Sequence, residues 1–373
     1  MKAIISGGGS GGHISPAVAI AGALKARHPE ADILFVGAEG RMEMEKVPAA
    51  GYPIKGLPIA GLQRQLTLQN ILKNLQLPYR VVRSRMMVHK ILKEYQPDIV
   101  VGVGGFASEP TLKEAARMGF PILVQEQNSY AGLTNKTLAR SARTICVAYE
   151  GMERFFPKEK IVMTGNPVRA DIENMTATHE EGCAHFGVDP QRPVLLSVGG
   201  SLGARSINRM VLDNISFFKD NDIQIVWQTG KWMYDEAAEA VKAAGMEPWV
   251  KVHQFISRMD MAYAAADVVV SRAGAIAISE LCLVGKPVIL IPSPNVAEDH
   301  QTKNAMALVN KGAALMVRDA ECGTKGLPEA LALLRDAAKR DTMSQAIRAL
   351  AAPQAAARIV DEIDKLLAHN GKQ

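Results

Sequence analysis

Four short apolar runs in this chain end on glycine, and they fall into two matched pairs. Ala3-Ile4-Ile5-Ser6 leads into Gly7-Gly8-Gly9-Ser10-Gly11-Gly12-His13, and the run from Ile99 to Val103 leads into Gly104-Gly105. In the second half, the run from Val194 to Val198 leads into Gly199-Gly200-Ser201-Leu202-Gly203. The run from Val268 to Ser271 leads into Arg272-Ala273-Gly274. A helical pattern follows each turn. Strand, glycine turn and helix start together form the repeating unit of a doubly wound parallel sheet. β-branched runs of this kind are buried on both faces, so helices must cover both sides. The pattern predicts strands at 3–6, 33–36, 99–103, 122–125 and 144–147. In the second half it predicts them at 194–198, 223–228, 250–252, 268–271 and 288–291.

A chain of 373 residues exceeds one ordinary core, so two α/β domains are expected. Glycine and proline break the pattern at Thr164-Gly165-Asn166-Pro167. The first domain is expected at 1–165 and the second at 166–352. A final helix within 353–373 would return to the first. Ligands of doubly wound sheets bind outside the carboxyl ends of the strands. Two such domains facing across a cleft would place the glycine turns at its walls.

The first turn contains G-x-G-x-x-G at Gly7, Gly9 and Gly12. A dinucleotide site also needs an acid about 20 positions on. Glu39 lies 27 beyond Gly12, which weakens that reading. An anion site fits better: glycine lets backbone approach a phosphate, and a helix start offers free N–H groups. Pro16 is expected at the first helical position, where a missing N–H costs nothing. His13 adds a titratable imidazole beside the cradle and is the first candidate for a general base. Glu126 is the second. Gln125-Glu126-Gln127-Asn128 follows a strand and reads either as a sugar-hydroxyl site or as an ordinary polar loop. Glu280 falls two turns into a helix beginning near Gly274. Its apolar neighbours predict burial, so its carboxylate needs a partner. It is suited to accept from ribose hydroxyls. Asp299-His300-Gln301 occupies a similar position after a strand. Asp220-Asn221-Asp222 has the D-x-D form of some metal sites but falls between a helix and a strand, which makes it a polar turn. No cluster has metal-ligand spacing, so neither a metal nor a cofactor is expected.

Hydrophobic residues at 48% and charged residues at 22% are those of a globular chain. No stretch reads as a membrane span or secretory signal. Cys146, Cys183, Cys282 and Cys322 are far apart, which argues against a zinc site or a disulfide framework and suits a reducing cytoplasm. The positive charge is concentrated early, with 21 Lys/Arg against 13 Asp/Glu up to Lys160 and 22 against 25 after it. From Arg64 to Lys93 there are seven Lys/Arg and no acid, among many apolar residues. Such a segment suits an anionic membrane surface, or equally a core-facing helix pair with a solvated basic face. Nucleic acid fits poorly, since aromatics for base stacking are scarce.

The set of motifs resembles the MurG family, bacterial transferases that add N-acetylglucosamine to lipid I in peptidoglycan synthesis. The resemblance rests on residues 9–13, Gly104-Gly105-Phe106, Glu126-Gln127-Asn128, Gly165-Asn166-Pro167-Val168-Arg169, Gly199-Gly200-Ser201, Arg272 to Glu280, and Gln301 with Asn304-Ala305. It implies a GT-B fold, UDP-N-acetylglucosamine held mainly by the second domain, and lipid I approaching the first from the membrane. It implies that Ile256 meets uracil through its backbone and that Glu280 holds the ribose. Ser201, Ala275 and Ile276 would meet the diphosphate region. Asn128, Arg169 and Gln301 would contact the donor, and Ser10, Gly11 and Gly12 would close on phosphate. It implies a peripheral enzyme on the cytoplasmic face of the inner membrane. The chain departs from the usual pattern with Ser10 for Thr, Phe106 for Tyr, Gln125 for His, Leu202 for Gln and His300 for Gln. The alternatives are a nucleotide-sugar epimerase of the same fold, an NAD(P) oxidoreductase and a non-enzymatic UDP-sugar sensor.

Overall fold

The computed structural model describes residues 1–9, 11–59 and 77–370. Ser10, residues 64–76 of the basic segment and the last three residues lie outside these. The chain forms two units, Met1–Arg169 with Gln354–Gln373, and Ala170–Pro353.

The first unit holds β1 (Lys2–Ser6), β2 (Asp32–Ala38), β3 (Ile54–Leu57), β4 (Ile99–Gly102), β5 (Ile122–Glu126), β6 (Thr144–Val147) and β7 (Ile161–Met163). Their order in the sheet is β3-β2-β1-β4-β5-β6-β7, and every pairing is parallel. Two apolar layers cover it. One contains Ile4, Val36, Leu92, Leu112 and Val124, and the other Ile5, Ile20, Leu24, Val101 and Ile359. The helix Ala355–Asn370 belongs to this second layer and packs on the helix Gly11–Arg27. Asp361 pairs with Arg27, and Asp364 with His28 at 2.8 Å.

The second unit holds β8 (Val194–Val198), β9 (Gln224–Gln228), β10 (Val250–His253), β11 (Val268–Ser271), β12 (Val288–Leu290) and β13 (Leu315–Met316). The order is β10-β9-β8-β11-β12-β13, again all parallel. Trp227 and Phe218 are fully buried in the layer on one face. Leu196, Tyr263 and Leu290 lie in the layer on the other.

The architecture is the one expected from the sequence, with one sheet in each unit. Three strands escaped the sequence pattern: β3, β7 and β13. All three are sheet edges of two to four residues. An edge strand has one paired side and needs no long apolar run, so its signal is weak. The helix start also differs from the expectation. The helix begins at Gly11, which puts Pro16 inside it. Gly11, Gly12 and His13 are therefore its first three residues, and the N–H groups of that first turn have no helical acceptor.

Candidate active site

In each sheet the connections lead to one side of a central strand and then return on the other. β1 lies between β2 and β4, and β8 between β9 and β11. Strand order therefore reverses at β1/β4 and at β8/β11, and a crevice opens at the carboxyl ends there. All four glycine turns leave from these positions.

At the first switch point the two turns interlock. Gly105 has φ +82°, and a Cβ on it would lie 2.3 Å from the carbonyl oxygen of Gly8. Only glycine allows that approach. A Cβ on Gly104 would lie 2.9 Å from His13 Nε2. The imidazole therefore stands against the backbone of the second turn. It is half-buried, in the first turn of the helix, whose N–H groups have no helical acceptor.

Sequence reasoning missed Glu43. Its carboxylate is 1% exposed and lies directly beneath the first turn. Oε2 accepts from the Gly9 N–H at 3.0 Å, and Oε1 from the Ala38 N–H at 3.1 Å. A Cβ on Gly8 would fall 2.1 Å from Oε1. Glu43 thus fixes the turn and takes up the Gly9 donor, which leaves the helix amides for an incoming anion. The signal was one glutamate between Glu39 and Glu45, without a motif of its own.

The loop after β5 has two parts with different roles. Gln125, Glu126 and Gln127 are all buried. Gln125 Nε2 donates to Asn166 Oδ1 at 3.0 Å, and Gln127 Nε2 donates to the carbonyl of Val103 at 2.9 Å and to Gln125 Oε1. Glu126 Oε1 accepts from the Asn128 N–H at 3.0 Å and from Asn128 Nδ2 at 3.2 Å. Its Oε2 accepts from the Gly132 N–H at 2.9 Å and from Asn135 Nδ2 at 2.8 Å. Four donors on one carboxylate make it a loop brace. Asn128 is the half-buried member of this loop. Arg169 is half-buried at the end of this unit.

In the second unit Gln228, at the end of β9, links two expected donor contacts. Its Nε2 donates to the carbonyl of Gly200 at 3.0 Å, and its Oε1 accepts from the Ile256 N–H at 2.8 Å. Ser201 is exposed beside Gly200, whereas Ile256 is buried. Arg272, after β11, is a clamp. It donates to the carbonyls of Ile291 and Pro292 at 3.0 and 3.2 Å, to Ser206 Oγ, and to Asp319. The helix Ala275–Val284 then starts from an extended Gly274, with Ala275 and Ile276 in its first turn. Glu280 is 7% exposed and accepts from the Tyr263 hydroxyl at 3.1 Å, which supplies the partner its burial requires.

Gln301 lies in the first turn of the helix His300–Val309, and its Oε1 accepts from the Ser293 N–H at 2.8 Å. Glu298 and Asp299, just before that helix, have φ +56° and +52°. Two successive left-handed non-glycine residues store strain of the sort that gathers at functional sites. His253, at the end of β10, lies edge-on to Phe186 at 5.2 Å. Burial, and then the charges of His185 and Lys251, hold its imidazole below the usual range and so neutral. Asp222 has φ +56° and pairs with Arg192 at 3.4 Å, in a turn between a helix and β9. Among the described residues, no three His, Cys, Asp or Glu gather as metal ligands would.

Residues 3–147 match the glycosyltransferase family 28 N-terminal domain, and residues 194–361 match the glycosyltransferase family 28 C-terminal domain. The chain is 54% identical to the UDP-N-acetylglucosamine--N-acetylmuramyl-(pentapeptide) pyrophosphoryl-undecaprenol N-acetylglucosamine transferase of Parabacteroides distasonis, over 98% of each chain. It is 55% identical to the transferase of the same name from Phocaeicola vulgatus, over 98% of this chain and 96% of that one. Among solved structures, Acinetobacter baumannii MurG aligns with TM-score 0.75 and 25% identity, over 98% of this chain and 99% of that one.

Proposed function

The chain belongs to glycosyltransferase family 28, and from that premise we propose that it moves N-acetylglucosamine from UDP-N-acetylglucosamine to N-acetylmuramyl-pentapeptide on pyrophosphoryl-undecaprenol. The observation that carries this reading is end-to-end likeness to curated transferases of that name. The two Rossmann-like units are those of the GT-B architecture.

The reaction is a single inverting displacement. The C4 hydroxyl of the acceptor sugar attacks the anomeric carbon, the new C–O bond forms, and the bond to the UDP oxygen breaks. The hydroxyl proton passes to the His13 imidazole. The acceptor diphosphate lies on the N–H groups of Gly11, Gly12 and His13. Glu126 supports this work as the brace that sets Asn128. Ser201 and the first turn at Ala275-Ile276 meet the donor diphosphate, where free N–H groups stabilise the charge that grows on UDP. Glu280, aligned by Tyr263, takes the ribose hydroxyls. The Ile256 N–H is engaged by Gln228, so its backbone contact to uracil runs through the carbonyl. Gln301 turns its amide nitrogen to the sugar, and Arg169 contacts the donor. The test is transfer of labelled N-acetylglucosamine to a lipid I analogue, with other UDP-sugars as controls. Turnover of UDP-N-acetylglucosamine without acceptor would favour an epimerase instead.

Glu43→Gln tests the brace beneath the first turn. A glutamine can accept at only one end, so its NH2 group must face one of the two N–H donors. An unsatisfied buried donor costs about 1–3 kcal/mol. The expected result is a rise in acceptor KM of about fivefold to about 150-fold, with donor KM unchanged.

No helix among the described residues is long and apolar enough to cross a membrane. The helix Leu77–Tyr95 nevertheless exposes Tyr79, Val82 and Met86 among its arginines. These apolar side chains, with the early positive charge, support a peripheral site on the cytoplasmic face of the inner membrane. Each buried side chain of this size is worth about 1.5–3 kcal/mol. Replacing both Val82 and Met86 by serine is therefore expected to weaken flotation with anionic vesicles about tenfold or more. Unchanged flotation would remove the helix from the membrane contact.

A further inference from the structure

We propose that the first unit carries a second acceptor subsite, a cationic cavity that takes the carboxylates of the pentapeptide. This rests on the transferase reading above. The cavity has a volume of about 670 Å³, and Glu39, Arg41, Ile59, Tyr79, Arg80 and Arg83 line it. That volume is typical of a small-ligand site. Among the described lining residues the guanidinium groups of Arg41 and Arg83 outnumber the one carboxylate, so the cavity favours a ligand with excess negative charge. Arginine binds carboxylate through paired N–H donors that lysine lacks. Glu39 is left to meet an amine on the same ligand.

Its position ties it to the acceptor. The Arg41 guanidinium stands 5.7 Å from the centre of the Phe106 ring. A Cβ on Gly9 would lie 2.9 Å from Cε1 of that ring. Glu43, two residues after Arg41, holds the Gly9 N–H. One aromatic ring therefore separates the cavity from the turn assigned to the acceptor diphosphate. Peptide and diphosphate leave the same sugar ring. Five extended residues reach about 17 Å, enough to enter the cavity with a terminal carboxylate. Val82 and Met86, the exposed apolar residues of the neighbouring helix, do not line the cavity. The helix thus gives Tyr79, Arg80 and Arg83 to the cavity, while Val82 and Met86 stay exposed beside it.

The experiment compares the wild-type enzyme with Arg41→Ala, Arg83→Ala and Arg83→Lys on two acceptors in detergent. One acceptor carries the full pentapeptide, and the other is the same lipid-linked sugar without the peptide. The wild type should show the lower KM for the full acceptor. Each alanine variant should raise that KM about three- to tenfold with little change in kcat, the worth of one charge-assisted contact at a partly exposed site. Neither should change the KM for the peptide-free acceptor. Arg83→Lys should recover part of the loss. Equal losses on both acceptors would assign the arginines to the diphosphate and overturn the proposal. Loss of binding to anionic vesicles without acceptor selectivity would assign them to lipid headgroups and overturn it as well. Equal wild-type KM values for both acceptors would overturn the subsite alone. Wild-type transfer to neither acceptor would overturn the transferase reading, and the subsite with it.

Discussion

His13→Ala is expected to lower kcat about 10²–10⁴-fold, the usual contribution of a positioned general base. KM for UDP-N-acetylglucosamine should stay within about threefold, because no donor contact is assigned to His13. The large effect follows from placement. The ring stands against Gly104, at the end of a helix whose first N–H groups are assigned to the acceptor diphosphate. A base must reach the hydroxyl that it deprotonates, and His13 is tethered beside the group that carries that hydroxyl. The rival carboxylate is differently placed. Glu126 accepts four hydrogen bonds, and taking a proton would weaken all of them. Glu126→Gln should therefore act through the loop, raising donor KM through Asn128. The pH profile separates the two roles. A base must be unprotonated to act, so His13→Ala should alter the acid side of the pH profile, whereas Glu126→Gln should leave its shape unchanged. A folded His13→Ala enzyme within about threefold of the parent would end the assignment.

The sequence was most legible where strands are buried on both faces. Thr144–Val147, Val194–Val198 and Val268–Ser271 fall where the apolar runs predict them. Their signal is strong because both faces are buried, so apolar residues dominate the run. β3 and β13 lie at edges, and the same physics gives them little signal. The switch points were legible for a related reason. Close backbone approach excludes side chains, so it leaves glycine in the sequence, as at Gly105 against Gly8. Glu43 was illegible. A carboxylate that braces a turn through two N–H groups needs no partner motif, and a glutamate without one normally reads as surface. The Gln125–Asn128 loop was half legible. Its position near the strand ends was clear, but composition cannot separate amides spent on internal hydrogen bonds from those offered to a sugar.

Gly203→Ala is the second variant with a large expected effect, and Gly200→Ala is its control. Both glycines have left-handed backbones, φ +79° and +87°. A non-glycine residue there costs about 1–2 kcal/mol. The two differ in their surroundings. A Cβ on Gly200 would meet nothing within 4 Å, whereas one on Gly203 would lie 1.9 Å from the carbonyl oxygen of Thr229. The opposing turn is equally tight, since a Cβ on Gly230 would lie 2.2 Å from the carbonyl oxygen of Leu202. Asn208 Nδ2 closes the seam by donating to Thr229 at 2.7 Å. Backbone cannot rotate away as a side chain can, so one turn must retreat. Gly200→Ala should lower the melting temperature of its unit by about 2–8 °C. Gly203→Ala should lower it by about 10 °C or more, in the range of severe core lesions. The retreat should also spread to the nucleotide. Gln228 ties Gly200 to Ile256, so a displaced turn pulls on the proposed uracil contact as well as on Ser201. KM for UDP-N-acetylglucosamine should accordingly rise about a hundredfold in Gly203→Ala, and only severalfold in Gly200→Ala. Equal melting temperatures and equal donor KM values for the two variants would show that the seam does not set the donor site. Left-handed backbone alone would then explain the glycines of this turn.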